Sequence, residues 1–163
     1  MEINNLNFRT TVEPEDPKRI RDMVTSTGFF HEEEIEIAED LARQRLEEGL
    51  ESGYEFIFAE INGKTVAYSC FGLIPGTKSS FDLYWLATQN DLRGQGIGRK
   101  ILKATEEAIK KAGGTGIYVE TASREQYTPT RVFYHNNNYI LKAQYEDYYS
   151  EGDDLCVYVK REF

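Results

Sequence analysis

The sequence has few of the residues that build metal sites and disulfide frameworks. Its 163 residues include two cysteines and two histidines, and these do not cluster with the spacing of metal ligands. We therefore expect no metal site. Cys70 and Cys156 both lie in apolar, strand-like runs, so we expect two buried thiols rather than a disulfide.

Long apolar runs and an excess of positive charge are also missing. No apolar run approaches the length of a membrane span, and the opening segment 1–5 has neither the basic start nor the apolar stretch of a signal peptide. We therefore expect a cytoplasmic protein without membrane attachment. The formal net charge of −9 argues against a nucleic-acid partner, because sequence-independent binding needs a basic surface. It is compatible with a cationic substrate such as an amine.

Length and composition favour a single globular domain over residues 1–163. Apolar residues make up 40% of the chain and charged residues 29%, which is typical of a folded protein with a sizeable core. We find no internal repeat and no stretch with the composition of a linker.

Hydrophobic periodicity predicts seven strands and four helices. The predicted strands are 8–12, 54–61, 65–73, 81–87, 116–121, 139–148 and 155–160. The predicted helices are 17–25, with Asp16 as its N-cap, 32–50, 99–112 and 129–135. Asn62 and Gly63 predict a two-residue hairpin turn. The order β-α-α-β-β-β-α-β-α-β-β joins a hairpin meander to a βαβ crossover, so it predicts an α/β (α+β) fold with a mixed sheet and helices on its faces.

A glycine-rich loop lies between the fourth predicted strand and the third predicted helix. The loop consists of Arg93, Gly94, Gln95, Gly96, Ile97 and Gly98. Free backbone N–H groups and the helix dipole favour an anion at such a junction. The three glycines leave room for a pyrophosphate to lie against the main chain.

The spacing of these glycines excludes three common phosphate loops. The ATPase loop needs Gly-Lys-Ser/Thr, whereas Arg99 and then Lys100-Ile101 stand here. The dinucleotide loop needs a third glycine where this chain has Arg99 or Ile101. A kinase loop joins two strands, whereas here a helix follows. A nucleotide-binding protein therefore stays only as a weaker alternative.

The pattern that does fit is Gln/Arg-x-x-Gly-x-Gly/Ala, formed by Arg93, Gly96 and Gly98. It resembles the signature loop of the GNAT superfamily of N-acetyltransferases, whose strand and helix order the whole chain also shares. The resemblance implies the acyl-CoA N-acyltransferase fold, with a mixed, mostly antiparallel central sheet of about seven strands flanked by about four helices. It also implies acetyl-CoA as co-substrate, with its pyrophosphate on the loop and Arg99 beside it.

The same resemblance assigns further residues to the coenzyme. The backbone of Leu86, Ala87 and Thr88 would receive the acetyl carbonyl oxygen, which needs a donor as negative charge builds on it. The family's Asn-x-x-Ala-x-x-x-Tyr element matches residues 127–134, with Tyr127 in place of the asparagine. Its following Gly-Phe is replaced by Asn138 and Tyr139, and we expect a positive φ at Asn138.

Tyr134 falls where the family places its tyrosine general acid. Acetyl transfer by direct attack requires a primary amine, with a pKa of roughly 10, to lose a proton and the leaving thiolate to gain one. Tyr134 suits the thiolate. Two carboxylates are candidates for the amine proton, directly or through water: Asp82, at a position resembling that of the base glutamate of histone acetyltransferases, and Glu120, on the strand after the loop helix.

The acceptor is the least defined part of the sequence. Residues 145–149 form an acidic, aromatic cluster that suits a cationic amine and loosely resembles protein N-terminal acetyltransferases that modify ribosomal proteins, although those usually carry arginine where this chain has Tyr145. Packing of an edge hairpin explains the cluster equally well. Because Tyr127 and Thr130 depart from the family pattern, a non-catalytic acetyl-CoA-binding module is a further alternative, and a homodimer through the last hairpin is left open.

Overall fold

The computed structural model describes residues 3–163, so Met1 and Glu2 of the segment examined for a signal peptide lie outside the described residues. The strands are β1 (Leu6–Arg9), β2 (Glu55–Ile61), β3 (Lys64–Leu73), β4 (Ser80–Thr88), β5 (Gly116–Ala122), β6 (Ile140–Ser150) and β7 (Asp153–Lys160). The helices are α1 (Asp16–Ser26), α2 (Glu32–Glu48), α3 (Ile97–Lys111) and α4 (Thr128–Asn136). Short 3₁₀ segments cover Ile3–Asn5, Gly49–Ser52, Asn90–Leu92 and Glu125–Tyr127.

The strands form one seven-stranded sheet in the order β1-β2-β3-β4-β5-β7-β6. β4 and β5 run parallel, whereas β1 with β2, β2 with β3, β5 with β7, and β6 with β7 are antiparallel. The predicted mixed, mostly antiparallel sheet with four helices is confirmed. Most element ends lie within two residues of their predicted positions.

Local turn chemistry explains where several elements end. Asn62 and Gly63 both have positive φ, 51° and 78°, as a two-residue turn between antiparallel strands requires. Asn138 has the expected positive φ, 68°, directly after α4. The predicted second helix was too long, because the chain leaves α2 at Gly49, where φ is 66°, and turns into the 3₁₀ segment.

The junction between β1 and α1 differs from the prediction. Glu15, not Asp16, is the N-cap residue of α1, and Asp16 has no exposed surface. Its carboxylate accepts two hydrogen bonds from Arg9, at 2.7 and 3.0 Å, and one from Arg19, at 3.0 Å. β1 ends at Arg9 rather than residue 12, because the arginine that ends the strand is paired with α1.

The chain divides into two compact units. One comprises the chain up to Gly72 together with Trp85–Ala108. Its core brings α1 and α2 together with β2 and β3, and the largest fully buried side chains of this cluster are Tyr68, Phe58, Ile20, Met23 and Val24. Cys70 lies in this core as a free, buried thiol, as predicted.

The second unit comprises Leu73–Tyr84 and Ile109–Phe163. Its buried side chains come mainly from β5 and β7, and they include Ile117, Val119, Tyr134, Tyr139, Leu155, Cys156 and Val159. Cys156 is the other free, buried thiol. Within residues 3–163, no helix combines the length and apolar character needed to cross a bilayer.

Candidate active site

The glycine loop of the first unit contains two residues with a left-handed backbone conformation. Gly94 and Gly96 have φ values of 79° and 82°, which side-chain-bearing residues rarely adopt. A Cβ added at either position would meet no atom within 4 Å, so the conformation rather than crowding requires glycine. The loop is exposed, whereas Ile97 is buried and fixes the start of α3 to the core.

The first turn of α3 presents unpaired backbone donors. Lys100 N–H donates to the Gly96 carbonyl at 3.2 Å, which is the hydrogen bond that opens the helix. The N–H groups of residues 97–99 precede it and have no carbonyl four residues back inside the helix. Together with the helix dipole, they favour an anion at this end.

Basic side chains reinforce this preference. Arg99 and Lys100 lie exposed in the first turn of α3, and that turn contains no acidic residue. α2 of the same unit instead begins with three glutamates, which is the usual match to a helix dipole. Positive side chains oppose the dipole at a helix start, and a bound anion would relieve this opposition.

Aromatic residues that the sequence interpretation did not single out lie near this loop in the first unit. The guanidinium carbon of Arg93 is 6.0 Å from the ring centre of Phe29. Phe30, the next residue, packs edge-on against Trp85 of β4 at 5.1 Å. Their signal in the sequence was weak, because two adjacent phenylalanines in a loop carry no periodicity.

The end of β4 carries the backbone positions predicted to receive the acetyl oxygen. Ala87 packs in the core of the first unit, and Leu86 and Thr88 are partly exposed. Gln89 N–H donates to the Val66 carbonyl at 2.8 Å, which ties the chain to β3 where β4 ends.

The second unit brings both predicted carboxylates together. The charge of Glu120 acts on Asp82, and burial together with this charge raises the pKa of Asp82 to about 6, even though the hydroxyl of Tyr84 donates a hydrogen bond to the carboxylate. β4 and β5 pair in parallel from Ser80 and Gly116, and the last register pair is Asp82 with Tyr118. Two carboxylates that interact in this way are suited to proton transfer near neutral pH.

Tyr149 of the acidic, aromatic cluster lies near Glu120. Burial, and next the charge of Glu120, raise the pKa of Tyr149 to about 12. Its ring packs edge-on against Tyr148 at 5.1 Å. Tyr145, by contrast, is 57% exposed. The structure therefore brings one tyrosine of the cluster to Glu120 and leaves most of the others in solvent.

Tyr134 is almost fully buried on α4, with 5% of its surface exposed. Its ring packs edge-on against Tyr139 at 5.4 Å and lies 6.5 Å from Tyr158. Burial raises the pKa of Tyr134, so its phenol keeps its proton at neutral pH, as a general acid must. Tyr127, at the start of the same segment, is also buried, with the Arg124 guanidinium 5.1 Å from its ring centre.

Comparisons with known proteins agree with this architecture. The family model for the acetyltransferase (GNAT) domain matches residues 52–141, which include the loop, both carboxylates and Tyr134. A search of curated protein sequences finds no match.

Among solved structures, a protein from Desulfovibrio desulfuricans assigned to the GNAT family is 33% identical, with a TM-score of 0.92 over 96% of this chain and 98% of that one. The PaiA N-acetyltransferase from Thermoplasma acidophilum, in complex with coenzyme A, shares the fold at 17% identity, with a TM-score of 0.74 over 96% and 99% of the two chains. The ribosomal-protein-S18-alanine N-acetyltransferase from Escherichia coli does so at 15% identity and a TM-score of 0.74, over 94% and 92%. The chain therefore belongs to the GNAT family of acetyltransferases.

Proposed function

We propose that this acetyltransferase takes its acetyl group from acetyl-CoA and transfers it to the nitrogen of a primary amine. The observation that carries the proposal is the loop of residues 93–98, whose two positive-φ glycines precede a helix start with free N–H groups and basic side chains. This arrangement fits a pyrophosphate. That the PaiA N-acetyltransferase was solved with coenzyme A supports the choice of donor.

The loop residues Arg93 to Gly98, together with Arg99, would hold the pyrophosphate. The backbone of residues 86–88, at the end of β4, would donate to the acetyl oxygen as negative charge builds there. Tyr127 would take the place of the family's asparagine beside the pantetheine arm. Its burial favours an apolar contact with the arm rather than the hydrogen bonds of an amide.

Tyr134 is the proposed general acid for the leaving thiolate. Attack by the amine breaks the carbon–sulfur bond, and the sulfur then needs a proton to leave as a thiol. A thiol has a pKa of roughly 8.5, well below that of the buried phenol, which burial raises. The phenolate that remains after this transfer is therefore the stronger base of the two, and it regains a proton from solvent.

Asp82 and Glu120 are the proposed acceptors of the proton that the ammonium group loses, directly or through water. With a pKa of about 6, Asp82 is ionised at neutral pH and still holds a proton more tightly than an exposed aspartate does. Glu120 lies in solvent on β5, where it can exchange protons with water. The pair can thus take a proton from an ammonium group and pass it to solvent.

Release of free thiol from acetyl-CoA over a panel of primary amines tests the proposed function. The wild type should release thiol with at least one amine. Tyr134→Phe should lower kcat by about 10²-fold while coenzyme binding stays nearly unchanged, because general acid catalysis is worth roughly that factor. His135→Ala, the next position on α4 and exposed, should behave as the wild type.

Three results would separate the alternatives. Binding of acetyl-CoA without turnover of any amine would identify a non-catalytic binding module. Turnover only with peptides that carry a ribosomal-protein N-terminus would identify a protein N-terminal acetyltransferase. Unchanged turnover in Tyr134→Phe would remove Tyr134 from the role of general acid. We also propose that residues 1–163 act as one N-acetyltransferase domain, whose cytoplasmic location and self-association stay predictions.

A further inference from the structure

We propose that Arg131 is a positioning residue, which fixes α4, and with it Tyr134, against the end of β5. Its effect on catalysis rests on the function proposed above. Neither the family pattern nor the sequence interpretation assigns a role to this position, and the proposal comes from the hydrogen bonds that the side chain makes inside the second unit.

The guanidinium of Arg131 makes three hydrogen bonds. Its Nη1 donates to the Ala122 carbonyl at 2.7 Å and to the Arg124 carbonyl at 3.0 Å. Its Nη2 donates to the Thr128 hydroxyl at 3.0 Å. Ala122 is the last residue of β5 and Thr128 the first of α4. One side chain therefore joins the end of the strand to the beginning of the helix.

The segment that receives these hydrogen bonds is itself held in place. Ser123 N–H donates to the Asp154 carbonyl at 3.0 Å, and the Ser123 hydroxyl accepts the Asp154 N–H at 2.7 Å. Arg124 N–H donates at 3.2 Å to the carboxylate of Asp153, which is 4% exposed. Because β7 fixes the connection in this way, Arg131 ties α4 to a rigid part of the second unit.

α4 depends on such contacts for its position. It has nine residues, and helices this short are not stable in isolation. Residues three apart lie on neighbouring positions of one helix face, so Arg131 fixes the turn that directly precedes Tyr134. The ring of Tyr134 then packs against Tyr139 and Tyr158. A displacement of roughly 1 Å at a reacting group costs up to about 10²-fold in rate, so loss of the Arg131 hydrogen bonds should affect turnover.

The planar guanidinium suits this site because two of its nitrogens donate to three separate acceptors. Arginine presents several donors in a fixed geometry, whereas the ammonium of lysine is a compact point charge that cannot reproduce a bidentate contact. Arg131→Lys should therefore retain part of the function, and Arg131→Met, which keeps the aliphatic length, should retain the least. Val132→Ala is the matched control, since Val132 is the next residue on α4 and is 49% exposed.

Two measurements on these variants test the proposal. The first is kcat, with KM for acetyl-CoA, in Arg131→Met, Arg131→Lys, Val132→Ala and the double variant Arg131→Met/Tyr134→Phe. The second is amide hydrogen exchange over residues 128–136, with residues 155–160 of β7 as the internal reference. If Arg131→Met does not fold, the same measurements are made on Arg131→Lys instead, alone and combined with Tyr134→Phe.

We expect kcat to fall by about 10- to 100-fold in Arg131→Met, and by less in Arg131→Lys, with little change in KM for acetyl-CoA. The amides of α4 should exchange faster while those of β7 do not. In the Tyr134→Phe background, Arg131→Met should lower kcat by no more than about twofold, because the effects of residues that act through one another are not additive.

Two results would overturn the positioning role. Unchanged exchange over 128–136 in Arg131→Met would show that the side chain does not hold α4. An equal loss of kcat with tyrosine or phenylalanine at position 134 would show that Arg131 does not act through Tyr134. If the wild type acetylates no amine but α4 exchanges faster in Arg131→Met, the result would support the structural contact of Arg131. It would overturn the proposed function instead.

Discussion

The environment of Asp82 differs from that of an ordinary surface carboxylate. Half-buried on β4, it is influenced by Glu120 and accepts a hydrogen bond from Tyr84. The sequence indicated Asp82 and Glu120 as candidates but not Tyr84. The alternation of a strand would have suggested it, because residues two apart lie on one face. What no local pattern contains is the approach of Glu120, which lies 38 positions along the chain.

The titration of Asp82 gives a prediction on stability. The folded-state pKa of about 6 lies above the ordinary value of roughly 3.9, so the native state holds this proton more tightly than the unfolded chain does. The stabilising contribution is complete below about pH 4 and is lost as the pH rises through about 6. The free energy of unfolding of Asp82→Asn, relative to that of the wild type, should therefore be about 1 kcal/mol higher at pH 7 than at pH 4. This figure is reduced for the partial exposure of Asp82.

Urea unfolding of the wild type and Asp82→Asn at the two pH values measures this gain. If Asp82 accepts the amine proton, the same variant should also lose turnover at pH 7. An equal difference in unfolding free energy at both pH values would contradict the assigned pKa. Unchanged turnover would leave Glu120 as the base.

At the scale of elements, the contact between β1 and α1 was the least predictable. A carboxylate before a proline at a helix start is the usual pattern of an N-cap, and Asp16 precedes Pro17. The structure uses Asp16 as a buried partner of Arg9 and Arg19 instead. The Arg9 guanidinium also lies over the ring of Phe58, 4.3 Å from its centre. Arg9 lies seven positions before Asp16, on the other side of a loop, and Phe58 lies on another strand, so no helix or strand pattern contains these contacts.

This junction yields a second prediction on stability. Burial acts to raise the pKa of Asp16, but hydrogen bonds from Arg9, from the Glu13 backbone and from Arg19 outweigh it, so the pKa is lowered. Asp16→Asn should reduce the free energy of unfolding by about 2 kcal/mol, because Arg9 and Arg19 lose charged hydrogen bonds to a buried carboxylate while Glu13 and Glu60 still pair with them.

Denaturant unfolding at pH 7 measures the cost, with Lys18→Met as control on the same helix. Lys18 pairs with Asp22 at 3.1 Å, and both side chains are largely exposed, so its loss should cost less than about 1 kcal/mol. The lowered pKa means that the contribution of Asp16 is lost as the pH falls through its folded-state value. A variant as stable as Lys18→Met would show that the pairing contributes little.

Other elements were predicted well because their signals are local. The Asn62–Gly63 turn, the glycine loop and the positive φ at Asn138 each follow from residues that tolerate a left-handed backbone. The order of strands and helices along the chain followed from hydrophobic periodicity, whereas the spatial order of the strands in the sheet was not predicted. The hydrogen bonds of Arg131 were not predicted, because two of its acceptors are backbone carbonyls, which no residue pattern specifies.

At the scale of the whole molecule, overall charge and local charge have opposite signs. The net charge is −9, yet Arg93, Arg99 and Lys100 lie at the glycine loop and the start of α3. An acidic protein repels polyanions at long range, whereas a few basic side chains and free N–H groups still bind one small anion at contact distance. The co-substrate proposed here carries such an anion, the pyrophosphate of acetyl-CoA, so a basic loop on an acidic protein is consistent with the proposed function.

Binding of acetyl-CoA, measured by isothermal titration calorimetry, tests the central claim most directly. Gly96→Val is the variant to compare with the wild type, because Gly96 has a φ of 82°, which a branched side chain disfavours. Gly76→Val, with φ of 81° and equally open space, is the matched control outside the loop. We predict that the wild type and Gly76→Val bind acetyl-CoA equally and that Gly96→Val binds at least about tenfold more weakly, a loss of roughly 1.4 kcal/mol. No binding by the wild type, or equal binding by the two glycine variants, would contradict the assignment of the loop to the coenzyme.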